Sequence, residues 1–288
     1  MREVNKASEA NPVESATFLI FGNTGAGKTS LFRTLPGKKF AYVFDQNAMQ
    51  SLHGDPDIDY LEFLPDILPM AVRSLAKDKG DKELKTRGSD IYQEWEKDFE
   101  ERLDKNWFED NGYKWLMFDS LTTFSQMVMD RVLTINGRPG SWPQKDDYGP
   151  QINSILNVFR TATSRGLGLY VTGHMEMKQD ELTSRIFQTP LVTGQLKVKL
   201  PLLFSQIYYA ECGGVTGAGQ DKTVKYFLQT APDRTTPLVR NTLKNVDFRQ
   251  EVTIDFSKPL ASQGLGAMLE ANSRSPASKQ TATTAVKR

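Results

Sequence analysis

Apolar residues in this chain fall into short continuous runs, and most of those runs stop at a glycine or an acid. Residues 17–21 (TFLIF) open into the glycine-rich stretch GNTGAGKTS. Residues 40–44 (FAYVF) end at Asp45, residues 115–118 (WLMF) at Asp119, and residues 167–172 at Gly173 and His174. Runs apolar at consecutive positions predict strands of a parallel sheet covered on both faces. Elsewhere the period changes. Ile91, Trp95, Phe99, Leu103 and Trp107 recur every four residues, which predicts one amphipathic helix starting at Ser89 or Asp90, both good N-caps. We read its aromatic stripe as core packing, with partner contact as the other reading. Further helices are expected after the glycine stretch, stopping near Leu35 before Pro36-Gly37, and over residues 121–133 and 151–164. Residues 58–64 and 207–210 read as strands. A hairpin turn at 213–220 and a returning strand at 224–228 follow. Loops are expected at 75–88, 134–150 and 178–194. This alternation predicts an α/β domain over residues 17–270, with a mostly parallel central sheet flanked by helices and an antiparallel hairpin toward the C-terminus. Residues 1–16 read as a flexible lead-in. Residues 271–288 carry four basic residues and no acid, and read as a disordered tail.

The glycine stretch changes the picture from fold to chemistry. Gly22, Gly27, Lys28 and Thr29 satisfy G-x-x-x-x-G-K-[ST], with Asn23, Thr24, Gly25 and Ala26 as the intervening loop and Ser30 in the helix beyond. Glycines let successive backbone N–H groups turn inward around phosphates, and the following helix adds the positive end of its dipole. Lys28 is placed to reach the β- and γ-phosphates, and the Thr29 hydroxyl to ligate Mg²⁺. Asp119, closing an apolar run downstream, is the candidate acid that holds the same Mg²⁺. His174 lies beyond another strand end. It is either a polar group meeting the γ-phosphate or a structural loop histidine.

Composition narrows the choices. Of 288 residues, 36 are Lys or Arg and 35 Asp or Glu, a net charge of +1, so any nucleic-acid binding must come from local patches or from assembly. The single cysteine, Cys212, excludes a disulfide framework, and two histidines exclude a histidine-rich metal site. No apolar run approaches a membrane span, and no signal-peptide core is present, so a soluble intracellular protein is expected. Residues 45–66 hold Asp45, Asp55, Asp57, Asp59, Glu62 and Asp66 without a Lys or Arg. Their irregular spacing favours a solvated loop and strand edge over a metal site. Arg138, Trp142, Lys145 and Tyr148 mix basic and aromatic character in the 134–150 loop. That suits single-stranded nucleic acid and equally an ordinary surface loop. The basic residues of 221–249 either reach a neighbouring subunit's nucleotide or are solvated.

Taken together, the strand–loop–helix unit, the strand ending in Asp45, the Asp119-Ser120 pair, and the strand ending in Gly173-His174 resemble the ATPase core of RecA-like recombinases. HMEMKQDE resembles that family's polar sensor and the DNA-contacting loop after it. FLQTAPDRTTP, between basic residues, is most similar to the reduced RecA-like ATPases of bacteriophages, the Sak-type single-strand-annealing proteins. The resemblance covers roughly residues 15–256. It implies a RecA-like P-loop NTPase core that binds ATP and Mg²⁺, with residues 22–29 around the triphosphate, Asp119 on the metal and His174 as sensor. It also implies single-stranded DNA on the loops at 134–150 and 178–193, a ring or filament with the nucleotide between subunits, and the cytoplasm of an infected bacterial host. One position departs from the pattern. Asn47 falls where these ATPases carry a catalytic glutamate, so Asp45, an acid of the 55–66 cluster, or slow hydrolysis must account for the difference. The expectation is an ATPase that binds single-stranded DNA in recombination, annealing or replication. The rivals are an ATPase acting on a protein partner, a small-molecule kinase and a nucleotide-gated structural module.

Overall fold

The structure is a computed structural model that describes residues 16–64, 82–216 and 223–273. Its centre is an eight-stranded sheet in the order β10-β9-β8-β1-β5-β4-β2-β3. The strands are β1 (Thr17–Gly22), β2 (Lys38–Val43), β3 (Ile58–Glu62), β4 (Tyr113–Asp119), β5 (Gly168–Gly173), β8 (Gln206–Thr216), β9 (Thr223–Gln229) and β10 (Arg249–Glu251). From β8 to β3 every pairing is parallel, and β9 and β10 add antiparallel edge strands. A separate ribbon pairs β6 (Met175–Gln179) with β7 (Ile186–Pro190). The expected fold class is the one observed.

The continuous apolar runs are explained by cover on both faces. Leu19 and Phe21 of β1, Phe40 and Tyr42 of β2, Leu116 and Phe118 of β4, and Leu169 and Val171 of β5 point to one core. Helices Lys82–Asp104, Leu121–Ile135 and Tyr148–Ser164 close that side with Trp95, Phe99, Phe124, Ile155 and Phe159. The intervening residues Phe18, Ile20, Ala41, Val43, Trp115, Met117 and Tyr170 point to a second core. Leu31, Phe32 and Leu35 close it together with Leu265, Met268 and Leu269 of helix Gly264–Ser273. Each large side chain so buried stabilises the fold by about 1.5–3 kcal/mol.

Several boundaries differ from the expectation. The long helix begins at Lys82, so residues 82–88 are not loop, and Ser89 is a buried residue within it rather than a cap. Gly88 belongs there because the helix passes close to its neighbour, where a Cβ would sit 2.2 Å from the Asp130 carboxylate. The helix ends at Asp104. Asn106, at φ 49°, turns the chain, so Trp107 starts a separate short helix, Trp107–Asp110. Helix Tyr148–Ser164 begins ahead of the expected 151, with Pro150 in its first turn, where no intrahelical N–H is needed. The 178–194 loop is mostly the β6–β7 ribbon. Gly213 and Gly214 lie inside β8 at a register shift rather than in a turn. Residues 271–273 are helical, not tail. The expected lead-in up to residue 15, the 75–81 half of the 75–88 loop, the hairpin tip at 217–222, and the tail from 274 lie outside the described residues. Among the described residues, no helix is long and apolar enough to cross a membrane.

Candidate functional site

Parallel register brings four chain segments to one edge of the sheet. Phe21 of β1 pairs with Gly173, Phe118 of β4 with Val171, and Val43 of β2 with Asp119. The glycine loop, Asp45, Asp119 and His174 therefore all emerge at the C-terminal strand ends, where open α/β sheets bind ligands. They line a cleft of about 520 Å³ together with Asn47, Ser120 and Thr123.

The glycine loop is built for close approach. Gly25 and Gly27 have φ of 80° and 78°, and a Cβ on Gly22 would lie 2.3 Å from the Ala210 carbonyl of β8. Helix Lys28–Leu31 follows at once, continued by a 3-10 turn over Phe32–Thr34, and the chain leaves the helix at Leu35 as expected. Among the described residues, no acceptor is found for the backbone N–H groups of Gly25, Gly27, Lys28 and Thr29. The Lys28 ammonium is folded back, donating to the carbonyls of Gly22 at 3.0 Å and Asn23 at 2.8 Å. Burial lowers its pKa, and the nearby Asp119 and Asp45 carboxylates partly offset this. Tyr170 of β5 donates to the Lys28 carbonyl at 2.6 Å and fixes the start of the helix from below.

Asp119 is buried and receives two hydroxyl donors. Thr29 donates to its Oδ2 at 2.8 Å, and Thr172 of β5 donates to Oδ1. Burial pushes its carboxyl above the ordinary value, and these two hydrogen bonds act in the opposite sense. The Asp119–Ser120 peptide is cis, and Ser120 caps helix Leu121–Ile135 by accepting from the Thr123 N–H at 3.4 Å. Asp45 receives Thr123 Oγ1 on one oxygen and faces His174 Nε2 at 3.3 Å on the other. Burial opposes its ionisation, but hydrogen bonds from His174, Thr123 and Ser120 outweigh that and hold its pKa low. His174 in turn donates its backbone N–H to Thr122 Oγ1 at 3.1 Å. Asn47 sits on the rim with φ 66°.

The structure thus brings Thr24, Gly25, Gly27, Lys28, Thr29, Ser30, Asp45, Asn47, Asp119 and His174 around one space. Gly22 and Asn23 support it through the carbonyls that hold Lys28. Ala26 is buried, and its N–H closes the loop onto the Asn23 carbonyl at 3.2 Å. Sequence reasoning missed Thr172, Thr122, Thr123 and Tyr170. The only signal was a hydroxyl interrupting an apolar strand end and a pair of threonines directly after Asp119-Ser120.

The AAA domain family model (AAA_24) matches residues 14–237. The chain belongs to the AAA domain family. A search of curated proteins found no match. An AAA domain is a nucleotide-binding P-loop ATPase module, which agrees with the glycine loop and with a mostly parallel sheet carrying it at a strand end.

Outside the cleft, this AAA domain holds the other singled-out segments as follows. The described acids of 55–66 fit the favoured solvated-edge reading: Asp57, Asp59 and Glu62 are exposed, Asp55 pairs with Arg33 at 3.3 Å and Asp59 with Lys38 at 3.1 Å, and Asp66 lies outside the described residues. Among the described residues, no group of three or more His, Cys, Asp or Glu could hold a metal. The 134–147 loop is tied down rather than free. Arg138 donates to both oxygens of the buried Asp147 at 2.6 and 2.8 Å, Asn136 adds a third hydrogen bond, and Tyr148 packs on the core. Only Trp142 and Lys145 of that group face solvent. Of the later basic residues, Lys225 pairs with Glu251, Arg249 with Glu211, and Arg240 holds the Pro201 carbonyl. The β6–β7 ribbon carries exposed Met177, Leu182 and Ile186. At its base, Glu176 is paired with the buried Lys197.

Proposed function

We propose that this AAA-domain protein binds ATP with Mg²⁺ in the cleft, hydrolyses it, and passes its nucleotide state to the β6–β7 ribbon and the Trp142 loop, which hold single-stranded DNA. The observation that carries this reading is the chain of contacts from Asp45 through His174 and Thr122 to the ribbon. Thr122 Oγ1 also donates to the Leu191 carbonyl at 3.2 Å, just past β7.

The cleft suits the triphosphate and the metal. The unaccepted N–H groups of the loop and the Lys28 ammonium, held only by two carbonyls, offer donors to phosphate oxygens. Thr29 and Asp119 offer adjacent oxygen donors of the kind Mg²⁺ prefers. When bound, the metal would supply positive charge to the phosphate oxygens. Lys28 would hold the β- and γ-phosphates, and Thr172 would keep the Asp119 carboxylate aimed at the metal side. Asp45, kept ionised by His174 and Thr123, is the acid nearest the role left open by Asn47, orienting the attacking water and receiving its proton. Phosphoryl transfer to water then depends mainly on positioning and charge.

A phage recombination or annealing role and assembly into a ring or filament belong to the same proposal, in line with the resemblance to Sak-type ATPases. A second reading, action on a protein partner, is favoured by the apolar character of the exposed ribbon residues Met177, Leu182 and Ile186. Titration of oligo-dT with and without a non-hydrolysable ATP analogue separates the two. The DNA reading expects nucleotide-dependent binding that weakens with salt at a log–log slope of about 0.7 per phosphate contact. No binding at low salt in either state would discard DNA in favour of a protein partner.

A further inference from the structure

The two flanks of the phosphate loop differ in chemistry. Asp45, Asp119 and His174 lie on one side. On the other, a second cavity of about 140 Å³ opens against Gly27, Ser30 and Leu31. Its outer walls are Tyr226 of β9 and Val252, Ile254 and Phe256, from the segment after β10. That segment is fixed by backbone contacts: the Val252 N–H donates to the Tyr226 carbonyl at 2.9 Å, and the Tyr226 N–H donates to Thr253 Oγ1 at 2.9 Å. The Tyr226 ring lies directly on the loop, since a Cβ on Gly27 would be 3.3 Å from its Cδ1. At the rim, the Arg33 guanidinium stands 5.0 Å from the centre of the Phe256 ring.

We propose that this apolar slot receives the base of the nucleoside triphosphate, with Tyr226 as a stacking wall, and that it takes purines without reading their edges. The proposal rests on the reading that the loop holds a triphosphate. Lys28, Thr29 and Asp119 fix the terminal phosphates on the cleft side. The α-phosphate end then leaves past Gly27 and Ser30, and the slot is what lies there. Among the described residues, Ser30 is its one polar side chain besides the Tyr226 hydroxyl, and no amide or carboxylate lines it. Stacking and apolar burial therefore supply the affinity. Among the described residues, the paired donor and acceptor of an amide, which best tell an amino from a carbonyl substituent, are not part of its lining. The family match ends at residue 237, so Val252, Ile254 and Phe256 are added by the chain beyond it.

The test is calorimetric binding of ATP, GTP and inorganic tripolyphosphate, each with Mg²⁺, to the full chain and to Tyr226→Ala, Ile254→Ala and Lys28→Ala. We expect ATP and GTP to bind within about threefold of each other, because among the described residues no amide or carboxylate lines the slot to reject either. Tyr226→Ala should weaken both about tenfold by loss of stacking. Ile254→Ala, the gentler truncation, should weaken both about threefold through lost apolar contact. Neither should change tripolyphosphate binding, which also reports that the variants are folded. Nucleotides binding no tighter than tripolyphosphate, or Ile254→Ala weakening tripolyphosphate as much as ATP, would overturn the slot. A preference of about a hundredfold for ATP over GTP would overturn the absence of edge reading. Lys28→Ala should weaken all three ligands. If it weakens none, the phosphate-loop reading itself falls and takes the slot with it.

Discussion

The cleft at the strand ends and the β6–β7 ribbon hold their side chains in opposite ways. In the cleft, Lys28 rests on two carbonyls, Asp119 receives two threonines, and Asp45 receives a threonine and faces His174. The ribbon turns Met177, Leu182 and Ile186 to solvent and is anchored by Glu176–Lys197, by Arg185 on the Arg234 carbonyl, and by the Gln188 N–H on the Thr235 carbonyl at 2.6 Å. A polar network fixed in advance suits chemistry, which needs groups placed before the ligand arrives. A ribbon that turns apolar side chains to solvent suits contact with something that arrives later. Thr122, bonded to both His174 and Leu191, joins the two regions.

Four substitutions test how separate they are. The largest effect is expected from Lys28→Ala, which should lower ATP affinity about 100-fold by removing a charged donor. It should leave nucleotide-free binding of oligo-dT unchanged, as read by calorimetry and fluorescence anisotropy. A loss of both would mean the regions are not separable.

Next is a control for burial itself. Asp130 is half-buried against Gly88, outside both regions, and with no ion pair among the described residues its carboxyl is pushed up to about 6 by desolvation. A raised folded-state value means this group's contribution is intact below 3.8 and is lost as the pH rises through about 6. Asp130→Asn should therefore stabilise the chain by about 2 kcal/mol above about pH 7, after allowance for screening, and by nearly nothing near pH 4. Denaturant midpoints at the two pH values check it, with ATP affinity unaltered. Burial alone then raises a carboxyl without making a site, in contrast to Asp119.

His174→Ala should lower turnover about tenfold through loss of the Asp45 partner, with ATP affinity retained, a split that steady-state kinetics resolves. Trp142→Ala should weaken oligo-dT binding only about fivefold, as expected for one exposed stacking surface, and leave turnover without DNA unchanged.

The sheet was legible in the sequence because burial on both faces writes continuous apolar runs. The phosphate loop was legible because its spacing is set by backbone geometry. Asp119 was readable from the strand it closes. Thr172 and Thr123 were not, since a threonine among apolar residues says nothing about which carboxylate it will meet across the sheet. Two loops hold more order than their sequences show. Nothing local shows that Arg138 folds onto Asp147, and the alternation within MEMKQ and IFQTP is too short to separate a ribbon from a polar loop. The helix start was placed at Ser89 or Asp90 because both are good N-caps, whereas the helix runs through them and through Gly88, where a close helix crossing invisible at short range requires a glycine.

The central claim is that the state of the nucleotide cleft reaches the ribbon through His174 and Thr122. Amide hydrogen exchange, followed with and without a non-hydrolysable ATP analogue and Mg²⁺, tests it directly in the full chain and in Thr122→Val. The account expects the analogue to slow exchange in residues 23–31 and to change exchange across residues 175–190. Thr122→Val should keep the first effect and lose the second. A ribbon that exchanges identically with and without nucleotide, while the loop becomes protected, would contradict the account.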